Sequence, residues 1–257
     1  MDWATRRKIT YAVAIIILIV VYSLYHYRSV ISPAPTCFDG KANGLESGVD
    51  CGGPCSLICQ NDTKPLTVEW SSFIKTEPNT YDLVAYVSNK NINSDPMSTT
   101  YNFSLVNKSG VVIYEGKGEI VAPINSSFPI ILQNIHLENI PSKLIVSLSS
   151  GQFFKTKLDG NKKLININSS KIEEGKDISR AYATIVNNTL DTLLNVKVDV
   201  VLFDENKNVV GVGETFIEKL EGEESREIIW TWNTPFESKP LTIEVYPIIN
   251  PFTLNLK

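Results

Sequence analysis

Hydrophobic and polar positions divide the chain into three kinds of pattern. From Ile9 to Tyr25 the run ITYAVAIIILIVVYSLY carries no charged residue, and His26 and Tyr27 extend it to 19 positions (27 − 9 + 1 = 19). That is close to the ~20 residues an α-helix needs to cross a bilayer. Residues 37 to 59 form a Gly- and Cys-rich stretch too short to bury a core of its own. Beyond it come short apolar alternations separated by Asn, Asp, Gly and Pro clusters, with no sustained 3.6-residue period, which predicts an all-β remainder.

The alternations occur twice. Leu83, Ala85 and Val87, then Tyr101, Phe103 and Leu105, then Val111 to Tyr114, Ile130 to Leu132 and Leu144 to Leu148 form one series. Ala181, Ala183 and Ile185, then Val198, Val200 and Leu202, then Val209 and Val210, Ile228 and Ile229, and Ile243 and Val245 form the other. The offsets are 185 − 87 = 98, 202 − 105 = 97 and 228 − 130 = 98, so one loop differs by a single residue. Strand side chains alternate with period two, so an uncompensated slip would turn the core face outward. The predicted fold class is therefore an N-terminal transmembrane α-helix followed by all-β structure, two tandem immunoglobulin-like β-sandwiches after a short disulfide-rich neck. The predicted boundaries are 1–8 for a cytoplasmic N-terminus, 9–27 for the anchor, 28–64 for the neck, 65–160 for the first sandwich and 161–257 for the second.

Charge gives the helix a direction. Arg6, Arg7 and Lys8 precede the apolar run while only Arg28 closely follows it. The positive-inside rule then puts the N-terminus in the cytoplasm and residue 29 onward outside, as in a single-pass cell-membrane protein with its C-terminal bulk extracytoplasmic. Trp3 at one end and Tyr22, Tyr25 and Tyr27 at the other suit the headgroup levels. A cleaved signal peptide is the competing reading, but its apolar core is ~7–15 residues, and the exit Ser-Val-Ile-Ser-Pro-Ala-Pro lacks a small-x-small cleavage site. A net charge of −4 and a pI near 5.4 supply no basic surface for phosphates, which argues against nucleic acid as a partner.

All four cysteines, Cys37, Cys51, Cys55 and Cys59, lie within 23 positions (59 − 37 + 1 = 23). Just outside a membrane an even count favours two disulfides, with three pairings open; a zinc tetrathiolate competes, although paired C-x2-C spacing is absent. Asp39, Asn43, Glu46 and Asp50 are candidate ligands for a structural calcium ion. Asp39, Asn43, Gly44 and Asp50 fall at positions 1, 5, 6 and 12 of an EF-hand-like count, with Lys41 at position 3 and no flanking helices. A turn-rich loop with solvated acids is the alternative. No other cofactor is expected.

The remaining candidates read as structural. Trp70, Trp230 and Trp232 suit core or sheet-face positions. With only His26 and His136, a His-based triad or multi-histidine metal site has almost no material. Gly211-Val-Gly213 lacks the third glycine of a dinucleotide loop and reads as hairpin glycines, and Glu221, Glu223, Glu224 and Glu227 as a solvated edge that discourages strand pairing. The expected function is non-enzymatic: membrane-anchored display, adhesion or scaffolding through contacts with a protein in the envelope or outside the cell. The alternative is an accessory subunit of a membrane-embedded envelope complex such as pilus, secretion or transport machinery.

Two resemblances add context. CFDGKANGLESGVDCGGPCSLIC resembles a Cys-rich motif of prokaryotic surface proteins that carry β-sandwich modules, through Cys37, Asp39, Gly40, Asn43, Gly44, Glu46, Gly48, Asp50, Cys51, Gly52, Gly53 and Cys55. It implies a location and no reaction. Val200-Val201-Leu202-Phe203-Asp204, with Asn208 to Gly211 and the turn Leu220 to Glu223, makes the second copy similar to the FxLYD family of Ig-like domains from bacterial and archaeal envelope proteins. Val200 and Phe203 replace the family's Phe and Tyr, and Phe103, Leu105 and Asn107 of the first copy match less well. The likeness spans residues 175 to 248 and implies an Ig-like fold and an envelope location, with no established activity.

Overall fold

A computed structural model describes residues 2–27, 36–156, 158, 163–176 and 178–254. Arg28, the exit peptide at 29–35 and the expected boundary between the sandwiches at 160 and 161 lie outside the described residues. The chain forms two compact units, Met1–Cys55 and Ser56–Lys257.

In the first unit, α1 (Trp3–His26) begins at Trp3 rather than at the first apolar residue, so Arg6, Arg7 and Lys8 lie within it. Asp2 caps it, accepting a hydrogen bond from the Trp3 N–H at 3.1 Å, which satisfies one of the otherwise orphaned N-terminal donors. No Gly or Pro interrupts its 24 residues, which at 1.5 Å per residue extend about 36 Å. None of its residues is buried, and Ile15 to Val21 are each half or more exposed. A helix apolar on every side has no polar face to turn to water. It is long and apolar enough to cross a membrane.

The second unit is all-β. Its strands are β1 (Thr67–Glu77), β2 (Thr80–Asn89), β3 (Ser94–Pro96), β4 (Thr99–Val106), β5 (Val112–Ile120), β6 (Ser126–His136), β7 (Lys143–Ser150) and β8 (Phe153–Lys155). They continue as β9 (Ile165–Glu173), β10 (Ser179–Asn187), β11 (Leu193–Phe203), β12 (Val209–Leu220), β13 (Ser225–Trp232) and β14 (Thr242–Ile248). Sheets β1-β2-β6 and β5-β4-β7 face each other across Leu83, Ala85, Val87, Phe103, Leu105, Phe128 and Ile130. Sheets β13-β10-β9 and β12-β11-β14 repeat the arrangement across Ala181, Ala183, Ile185, Val198, Val200, Leu202, Ile228 and Trp230. All these pairings are antiparallel. The alternations Leu83-Ala85-Val87, Tyr101-Phe103-Leu105, Ala181-Ala183-Ile185 and Val198-Val200-Leu202 thus supply the inward faces of their strands, whereas Val111 and Val112 are exposed at the entry to β5. β3 and β8 form an extra ribbon on the first copy, to which Ser56 and Ile58 attach, with Ile58 N–H donating to the Phe153 carbonyl at 2.9 Å and Lys155 N–H to the Ser56 carbonyl at 2.7 Å.

The repeat extends to a buried clasp. Asn89 Nδ2 donates to the Ala122 and Pro123 carbonyls at 2.9 and 3.0 Å, while its Oδ1 accepts from the Asn91 N–H at 3.0 Å. Asn187, 98 positions on (187 − 89 = 98), donates to the Leu220 and Glu221 carbonyls at 3.2 and 2.8 Å and accepts from the Thr189 N–H at 2.9 Å. Each clasp ties the end of one sheet's central strand to the exit of the opposite sheet. The register slip has its place too: the offset is 97 between β4 and β11 and returns to 98 at the clasp. In both copies a bulge interrupts the following hairpin, between Leu105 and Val106 and between Leu202 and Phe203.

Gly211 and Gly213 belong to the β11–β12 hairpin, in its second strand and not in its turn. They lie inside β12, where a Cβ on Gly213 would come within 2.8 Å of the Trp230 ring and one on Gly211 within 2.8 Å of Phe236. They are small because large rings from elsewhere pack over them.

Candidate functional site

The predicted neck ligands fall into two groups. Cys37 and Cys55 are joined in a disulfide, Cys51 and Cys59 are also disulfide-bonded, and no described cysteine is free. The thiolate-zinc alternative is therefore set aside, since an oxidised sulfur is not a thiolate ligand. Cys37–Cys55 closes a loop with a sequence separation of 18, for which chain-entropy arguments give about 3 kcal/mol. Replacing Cys55 with Ser is expected to speed amide hydrogen exchange between residues 37 and 55 while leaving the exchange of β2 and β10 unchanged.

Within that loop the acids are engaged with donors of the loop itself. Asp50 accepts from the Asp39 N–H at 3.0 Å and from the Gly40 N–H at 2.9 Å. Asn43 Nδ2 donates to Asp39 Oδ2 at 2.9 Å, and this contact foremost holds the exposed Asp39 carboxyl below its usual range. The Asn43 N–H donates to Glu46 Oε2 at 3.3 Å, and Glu46 Oε1 rests 3.3 Å from Cys55 Sγ. Asp39, Asn43 and Asp50 are thus brought together, while Glu46 turns toward the disulfide. Among the described residues the three carboxylates do not bring ligand atoms within 4.8 Å of one another; the one such grouping is Glu46 with the bonded Cys37 and Cys55. At the helix, Arg7 lies 4.3 Å over the Trp3 ring, a cation–π arrangement that keeps charge and ring at the same level.

Sequence reasoning missed the feature with the most concentrated chemistry in the second unit. The outer faces of two sheets pack together through Ile74, Val84, Ile131, Val201 and Val212, with Trp70, Phe203 and Tyr246 beside them. Trp70 stacks on Tyr86 at 5.2 Å between centroids, and Phe203 and Tyr246 meet that pair edge-on at 6.1 and 5.6 Å. One carbonyl stitches the layers: Val212 O accepts from Trp232 Nε1 of its own sandwich and from Gln133 Nε2 of the other, each at 3.1 Å. Asp82 is buried beside Gln133; burial raises its pKa, opposed by the N–H of Asn134 at 2.8 Å. On β11, Lys197 lies 3.1 Å from the fully buried Asp199 and 2.9 Å from Glu214. Burial pushes Asp199 up to about 7 against the pull of Lys197. Burial also opposes the Lys197 charge, but Asp199 and Glu214 outweigh it and hold the ammonium above the usual lysine range. Two carboxylates sharing one cation leave the buried one poised to take up a proton.

Two clefts open along this packing. The smaller, about 320 Å³, is lined by Tyr101, Pro129, Ile131, Lys197, Glu214 and Phe216 among others. The larger, about 730 Å³, has walls from Pro123, Phe128, Ile165, Val245, Ile248 and Asp95 among others. The residues of the segment Val200 to Phe203 serve this architecture: Val200 and Leu202 enter the core, Val201 and Phe203 the inter-sandwich face. Asp204 caps the following turn, accepting from the N–H groups of Asn206 and Asn208 at 2.9 and 2.8 Å and from Ser238 Oγ at 3.1 Å.

No family model matches this chain, and no curated protein does. Among solved structures it is similar to a beta-galactosidase from Bacteroides fragilis at 9% identity and TM-score 0.25, covering 67% of this chain and 33% of that one. It is similar also to red sea bream transglutaminase at 11% and 0.21, covering 70% and 31%, and to a beta-glucuronidase of glycoside hydrolase family 2 at 8% and 0.24, covering 84% and 29%. The chain spans about a third of the length of these proteins, and likenesses at this level carry no argument about activity.

Proposed function

We propose that this chain is a membrane-anchored, extracytoplasmic display or scaffold protein that acts through protein contacts. α1 holds it in the bilayer with the N-terminus in the cytoplasm, and the neck and both sandwiches lie outside. The observation that carries the reading is an oxidised neck following an apolar helix that begins with Arg6, Arg7 and Lys8. Stable disulfides belong to oxidising compartments, and the basic flank belongs on the cytoplasmic side, so the two features agree on one orientation by independent physics. Strand edges and inter-strand loops of the sandwiches provide contact surface for a partner. The Cys-rich motif and the FxLYD-like segment resemble proteins of the same setting.

Protease added to intact cells is expected to digest the sandwiches and leave a protected N-terminal fragment; a chain that resists until the cells are lysed would overturn the orientation. Replacing Arg6, Arg7 and Lys8 together by Glu is expected to shift a large fraction of molecules to the inverted topology. A C-terminal alkaline phosphatase fusion, active only outside the cytoplasm, would report this as lost activity.

A further inference from the structure

Asp95 is a carboxylate with nothing to answer it. It sits in β3 opposite Phe154 and is 0% exposed, and neither of its oxygens has a hydrogen-bond partner. No neighbouring charge acts on it, and burial alone raises its pKa. Buried acids are ordinarily paired, because desolvation without compensation costs several kcal/mol. Asp95 forms part of the wall of the 730 Å³ cleft, whose other walls come from the first sandwich at residues 123–128 and from the second at residues 163–167 and 245–251. Clefts between packed modules are where ligand sites concentrate.

The wall limits what could enter. Pro123, Ile124, Phe128, Ile165, Val245 and Ile248 make it largely apolar, which favours an organic body over a hydrated one. A lone carboxylate with no second acid beside it among the described residues is too few ligands for a divalent cation, and its charge repels anions. Lys163, the one other charged lining residue described, is exposed and forms no ion pair with Asp95. Both oxygens of Asp95 want donors, and a guanidinium presents two parallel N–H groups to a carboxylate and sheds water more readily than an ammonium. We propose that this cleft is a binding site for a guanidinium group on an apolar stem, held by Asp95, whose covered carboxylate the wall must open to expose. The group can come from a small guanidine or from an arginine of a partner, and the site stands independently of the membrane orientation above.

The test uses the full chain in lipid nanodiscs and calorimetric titration with n-butylguanidinium, its neutral isostere n-butylurea, and a Gly-Gly-Arg-Gly-Gly peptide. Butylguanidinium is expected to bind at least about tenfold more tightly than butylurea, and the preference is expected to vanish in Asp95→Asn. Competition by the peptide assigns the group to a protein partner, whereas binding of the free guanidine alone assigns it to a small ligand. Asn166→Trp, which narrows the cleft from an exposed position on β9, is expected to weaken butylguanidinium without touching Asp95. Equal binding of the urea, a preference that survives in Asp95→Asn, or no binding by any of the three overturns the proposal.

Discussion

Asp95→Asn is expected to stabilise the sandwich unit at neutral pH and to flatten its stability profile. The carboxyl is pushed up from the usual carboxylate range to about 7 by burial alone. A folded-state pKa above the unfolded one means that the native state binds more protons between the two values, so the contribution of Asp95 to stability is fully present below about 4 and is lost as pH rises through about 7. At 1.36 kcal/mol per pKa unit the loss is on the order of 4 kcal/mol. The amide is isosteric and carries no charge, so the variant escapes that loss. Urea denaturation followed by tryptophan fluorescence from pH 5 to pH 8 measures it, since Trp70, Trp230 and Trp232 all report on the unit. Asp199 is raised for the same reason, though Lys197 at 3.1 Å opposes the shift, so part of the slope is expected to remain. A profile unchanged by the substitution would mean that the buried carboxylate is satisfied in solution.

Phe103→Ala is expected to cost about 3–5 kcal/mol, the range for removing a large aromatic from a packed core. Phe103 is the largest fully buried side chain among the described residues of the second unit, central on β4 between Gly116 on one neighbour and Val146 on the other. The informative part is which sandwich reports the loss. If the inter-sandwich face couples the two, hydrogen exchange of β10 and β11 accelerates along with that of β2 and β4. If they behave as separate beads, only the first sandwich loosens. Coupling is expected, because the face joins Val84 and Ile131 to Val201 and Val212, with Val84, Val201 and Val212 fully buried.

The strand pattern was legible because period-two alternation survives in Leu83, Ala85 and Val87 and in their second-copy counterparts, each pointing into a core that its own sheets enclose. β1 was not, since TVEWSSFIKTE mixes polar residues into both faces of a partly covered strand. The inter-sandwich face left a trace that alternation alone does not explain. β2 reads Asp82-Leu-Val-Ala-Tyr-Val87 and is buried on both sides, and continuous apolar runs are the mark of strands covered on both faces. Which sheet covers the second face depends on contacts far apart in sequence, as between Trp70 and Phe203 (203 − 70 = 133), and no local pattern encodes that. Asp82, Asp95 and Asp199 carry no signal in the sequence that marks them as buried, because acids are ordinarily solvated. Their burial follows from the strand that carries each of them. In the neck, the cysteines were plain, yet the choice of Cys55 over Cys51 or Cys59 as partner of Cys37 depends on how Gly-rich turns fold back, here with Gly53 so close to Leu45 that no side chain fits.

The packed face between the sandwiches has a further consequence for recognition. Two modules joined by a flexible tether must be ordered whenever a partner grips both, and the second contact is then limited by an effective concentration set by the tether. Here Val84, Ile131, Val201, Val212 and the Gln133 hydrogen bond have already met that ordering cost during folding. A partner that spans both sandwiches meets one preorganised surface, and its avidity depends on fit rather than on the linker.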